Sequence, residues 1–79
     1  MENNAIINVK LGYFLNVIDA RVNVDVFRLK DGKQELLRSN KLFRLLADNE
    51  FIGDRSIYNA RVIGLSVTLG VTSILIEEA

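Results

Sequence analysis

Three carboxylates, Asp48, Glu50 and Asp54, crowd into one short stretch of this sequence. Carboxylate oxygens are the ligands that hard cations such as Ca²⁺ and Mg²⁺ prefer. The spacing is not that of a calcium loop, so the stretch reads as a solvated acidic loop. Cations gather elsewhere. Six basic residues fall between Arg28 and Arg44, against only Asp31 and Glu35, which leaves that segment at +4 and the rest of the chain at −4. Such a bias could bind phosphates or an acidic partner surface. Lys30, Lys33, Lys41 and Arg44 form the candidate basic patch. The aromatic residues Tyr13, Phe14, Phe51 and Tyr58 do not interleave with it, which weakens the case for stacking on bases.

Other chemistry is closed off by composition. The chain has no His and no Cys. This removes the commonest zinc ligands, thiol nucleophiles, His-based triads and disulfides. No phosphate loop, dinucleotide fingerprint or nucleophile elbow is present. No cofactor and no metal are expected, and nothing positively supports an enzyme.

The elements that position these residues belong to a single domain, 1–79. A domain of this size buries only roughly 60–65% of the surface its unfolded chain exposes. Yet 49% of the residues are apolar. With disulfides excluded, oligomerisation is the remaining way to shelter that hydrocarbon. The formal net charge is zero, so no global field draws the protein to nucleic acid or to an anionic membrane. The longest uncharged stretch, Val62 to Ile76, is shorter than a membrane helix requires and alternates like a strand. With no basic leader at Met1–Asn4, a cytoplasmic protein is expected.

From Ala5 to Val17 every odd position is apolar, which predicts one long strand or two with a bend at Gly12, a helix over Leu11–Ala20 being the minority reading. Val22, Val24 and Val26 alternate with polar residues in a second strand. Asp31-Gly32 is the strongest local signal, because both positions of a type I′ turn need positive φ. This loop sets Lys30 across from Lys33, Leu29 from Gln34, Arg28 from Glu35, Phe27 from Leu36, Val26 from Leu37 and Asp25 from Arg38. Each matched pair contributes roughly 0.2–1 kcal/mol. Ser39 or Asn40 is expected to cap a helix. Its apolar face is Leu42, Phe43, Leu45 and Leu46, and its end lies near Asn49 or Phe51, with a loop over 52–56. Ile63–Leu69 and Thr72–Glu77 form a second hairpin around Gly70, with Ile63, Leu65, Val67, Ile74 and Ile76 sharing a face. The expected fold is α+β: a mostly antiparallel five-stranded sheet, β-β-β-α-β-β, with one short helix packed on one face.

One helix cannot cover both faces of such a sheet. Tyr13, Phe14 and Leu75 are therefore the candidate interaction surface. The first functional expectation is a small non-enzymatic interaction protein. It is a homo-oligomer, a dimer in the simplest case, or binds a heterologous protein partner. The alternative is a nucleic-acid-binding module that uses the basic 28–44 segment. Size and lack of motifs also match accessory and inhibitor proteins of phages and other mobile elements, an association rather than a derivation.

Overall fold

The Asp31-Gly32 turn forms as its residue types dictate, with φ of 52° and 79°. It joins β1 (Asn23–Lys30) to β2 (Lys33–Lys41). A computed structural model describes residues 9–78 of the chain. The four expected pairs nearest the turn, Lys30–Lys33 to Phe27–Leu36, are in register. A bulge then inserts Leu37, so Val26 meets Arg38 and Asp25 meets Ser39. This corrects the expected Val26–Leu37 and Asp25–Arg38 pairs. The physical reason is that the bulge lets Leu37 pack against the core. Asp25 instead accepts a 2.6 Å hydrogen bond from the Ser39 hydroxyl. Arg38 lies 5.9 Å above the Phe51 ring and 4.0 Å from the Glu50 carboxylate.

The second hairpin joins β3 (Val62–Thr68) to β4 (Val71–Ile76) through Leu69-Gly70. β4 pairs in parallel with β1, giving the order β2-β1-β4-β3. The sheet is thus four-stranded rather than five-stranded, and mixed: two of its three pairings are antiparallel and the central one is parallel. Register fixes its faces. Val24, Val26, Thr72, Ile74 and Ile76 share one side with Leu65 and Val67. Asp25, Phe27, Ser73 and Leu75 share the other. In β3 a bulge falls at Ile63, so Val62, rather than Ile63, meets Ile76.

Part of the expected first strand, Ala5–Asn8, lies outside the described residues. From Leu11 to Leu15 the chain is helical, α1. Leu11 and Leu15 satisfy a period of two, but they are also an i, i+4 pair. Tyr13 between them points to solvent, at 66% exposure, which is the helical outcome. Gly12 is not a strand bend. It lies against the Tyr58 ring, where a β-carbon would collide.

The single expected helix is replaced by a succession of short turns: α2 (Leu42–Leu46), α3 (Asn49–Gly53) and α4 (Arg55–Tyr58). Ser39 and Asn40 remain in β2, and Lys41 stands at the start of α2 with no side-chain cap. Loop carbonyls take that role: the Leu42 and Phe43 amides donate to Val22 and Ala20 oxygens, each at 2.9 Å. The expected loop over 52–56 falls mostly within α3 and α4. Both begin with the same six-residue pattern, Asp48…Phe51-Ile52-Gly53 and Asp54…Ile57-Tyr58-Asn59. Each Asp caps, and the residue three places on is buried. Leu11, Leu15, Leu42, Leu45, Phe51 and Ile57 pack on the Val24–Ile74 side of the sheet. The fold is therefore two layers, with the helices on one face only.

Candidate interaction surface

The three residues expected to form the interaction surface are separated by the fold. Tyr13 is exposed on α1, and Phe14 beside it packs partly on the core. Leu75 lies on the helix-free face of the sheet. Its neighbours there are Phe27 and, across β1, the exposed Leu36. Gly64 is paired beside Leu75 on β3. Its missing side chain helps open a shallow depression of about 140 Å³ bordered by Phe27, Ser66, Ser73 and Leu75.

The basic residues also divide. Lys30 and Lys33 flank the Asp31-Gly32 turn, whereas Lys41 ends β2 and Arg44 lies on α2. At about 3.3 Å per strand residue, Lys33 and Lys41 stand roughly 26 Å apart. Carboxylates enter the first group: Glu35 and Glu78 line the hollow beside Arg28 and Lys30. The Asp31 amide donates to the Glu78 carboxylate at 3.3 Å. In the second group, the Arg44 guanidinium lies 5.4 Å above the Phe43 ring. The Arg28 guanidinium, across from Glu35, donates to the Ser56 carbonyl oxygen.

The acidic stretch serves the backbone. The Asp48 carboxylate accepts from the Glu50 and Phe51 amides, at 3.0 and 3.2 Å. That of Asp54 accepts from the Ser56 amide and, at 2.7 Å, its hydroxyl. The Ser56 hydroxyl bond holds the Asp54 carboxyl below its ordinary range. Such caps satisfy amide groups that a helix end leaves without partners. Among the described residues, no group of three acidic side chains is placed to hold a metal ion. A further carboxylate, Asp19, chelates Arg21 in the turn before β1, at 2.9 Å. Hydrogen bonds from the Arg21 side chain, then its amide, lower the Asp19 pKa to about 2.

The feature that sequence reasoning missed is the difference between the two sheet edges. β2 carries Lys33, Glu35, Arg38 and Lys41, and a bulge. Charges and bulges on an edge oppose unwanted strand pairing. β3, the other edge, has no charged residue from Val62 through Gly70. Among the described residues, only its beginning is covered. The Val62 amide donates to the Val9 carbonyl at 2.9 Å, and Leu11 donates to Ala60 at 2.8 Å. Beyond Val62 no described residue pairs with the outer side of β3. In a two-residue hairpin the residues flanking the loop are hydrogen-bonded to each other. Thr68 and Ser66 accordingly turn their backbone groups toward β4, and Leu65 and Val67 turn theirs outward. Their side chains are 45% and 68% exposed.

The turn after β3 continues the pattern. Leu69 has φ of 52°, followed by Gly70 at 79°, the same values as Asp31-Gly32. Leu lacks the short polar side chain that eases this conformation in Asp or Asn. Leu69 is also 98% exposed, so it makes no compensating packing contact. The uncharged 62–70 stretch was the available sequence signal. It could not announce an edge, because the same alternation suits a central strand. No helix among the described residues is long and apolar enough to cross a membrane. No family model, curated protein or solved structure matches this chain.

Proposed function

We propose that this chain is a small non-enzymatic interaction protein that works by strand addition along β3. The carrying observation is the asymmetry of the edges: both have a bulge, but β2 is charged along its length, whereas β3 is uncharged and, past Ile63, its outer side offers backbone groups beside Leu65 and Val67 that no described residue pairs. Strand addition draws affinity from backbone hydrogen bonds and selectivity from alternate side chains. The bare sheet face around Phe27 and Leu75 is contiguous with that edge through Gly64 and supplies further apolar contact.

The test is affinity capture with the tagged full chain, in cells that also make an untagged copy. Wild type is compared with Val67→Lys, which sets a charge on the edge, and with Tyr13→Ser, which changes an exposed residue elsewhere. Polypeptides retained by wild type and Tyr13→Ser but lost by Val67→Lys support the reading. Equal capture by all three variants defeats it.

A further inference from the structure

We propose that the strand added to β3 is β3 of a second copy, antiparallel across a two-fold axis at Ser66. This deepens the strand-addition reading and rests on it. The exposed apolar residues of this edge are Ile63, Leu65, Val67 and Leu69. They are placed symmetrically about Ser66. A two-fold there sets Leu65 opposite Val67 of the other copy, twice, and brings the bulged Ile63 of each copy near the turn residue Leu69 of the other at both ends. Each exposed group meets another apolar group.

The backbone has the matching parity. Ser66 faces β4, so the two Ser66 residues form a non-hydrogen-bonded pair at the axis. Leu65 and Val67, which face outward, form the hydrogen-bonded pairs on either side. On the helix-free face, Thr68 of one copy falls opposite Gly64 of the other, which carries no side chain. Charge permits the pairing at both ranges. The strand carries none, and the formal net charge of the chain is zero.

The same geometry limits the assembly. An isologous contact closes on itself. The remaining edges of the eight-stranded sheet are both β2, whose charges and bulge oppose further growth. The four side chains expose on the order of 400 Å² of apolar surface, about half of what one partner gives to a standard interface. An interface of that size belongs to a reversible rather than an obligate dimer.

Sedimentation velocity of the full chain from low to high micromolar concentration, joined to cysteine trapping, tests this. A non-hydrogen-bonded antiparallel pair brings α-carbons within disulfide range. The expected result is a concentration-dependent dimer, abolished by Val67→Lys with an unchanged circular-dichroism spectrum. Oxidised Ser66→Cys should give a covalent dimer at least tenfold faster than Ser39→Cys on β2. A wild-type monomer at high micromolar concentration overturns self-pairing. If that monomer still captures another protein in a Val67→Lys-sensitive manner, self-pairing fails while strand addition stands. If neither association occurs, both fail. A disulfide closing within one chain between Ala5→Cys and Val67→Cys also overturns the proposal.

Discussion

Replacing Leu69 by Asn exchanges an ill-suited turn residue for one suited to positive φ. The molecule contains its own reference, because Asp31-Gly32 and Leu69-Gly70 have the same φ values. An ordinary L-residue in the left-handed region costs roughly 1–2 kcal/mol, and Asn recovers much of this through local hydrogen bonding. Leu69 is 98% exposed, so its removal forfeits almost no burial within the chain. The expected gain is about 1 kcal/mol, or roughly 4–8 °C in Tm for a domain of this size. The assay is thermal unfolding by circular dichroism at low micromolar concentration, where association contributes little. Asp31→Leu should lower Tm by a comparable amount. At high concentration the advantage of Leu69→Asn should shrink, because a dimer that buries Leu69 stabilises the wild type by mass action. An unchanged or lower Tm for Leu69→Asn at low concentration would refute the reasoning. It would mean that Leu69 stabilises the isolated chain.

The other predictions concern the helical layer and the turn before β1. Gly12→Ala drives a β-carbon into the Tyr58 ring and should destabilise by about 1–3 kcal/mol, read by urea denaturation. Asp48→Ala and Asp54→Ala each remove a cap and should each cost about 1 kcal/mol. Asn at either position should retain most of that stability. Asp19 should titrate near pH 2 in a carboxylate-resolved NMR titration of the folded protein, and Arg21→Gln should return it toward the ordinary range. Its folded pKa is depressed, so its contribution to stability is present above the ordinary carboxylate value. That contribution is lost as pH falls toward about 2. An Asp19→Asn variant should lack this part of the acid dependence.

Local chemistry made the first hairpin legible. Asp31-Gly32 dictates the turn, and the turn dictates the four nearest pairs. The bulge at Leu37 was hidden because two adjacent leucines, Leu36 and Leu37, each offer a plausible apolar partner to β1. α1 resembled a strand because Leu11 and Leu15 fit both periods. Only the position of Tyr13 relative to the core separates them. The parallel pairing of β1 with β4 depends on contacts far apart in sequence, which neither strand's alternation encodes. Asp48 and Asp54 looked like an acidic cluster because charge is more conspicuous than capping. Their repeated relation to Phe51 and Ile57 was the better clue. The candidate surface was legible in kind but not in place. Excess apolar strand surface was evident from composition. Its location awaited the strand order, which makes β3 an edge and puts Leu75 on the bare face, away from Tyr13 and Phe14.

Amide hydrogen exchange, resolved by residue, tests the role of β3 most directly. Leu65 and Val67 direct their amides away from β4, and Gln34 directs its amide away from β1 on the opposite edge. Raising the full chain from low to high micromolar concentration should slow exchange at Leu65 and Val67 together and leave Gln34 fast. Exchange at Leu65 and Val67 that stays as fast as at Gln34 across the whole range would contradict self-pairing at β3.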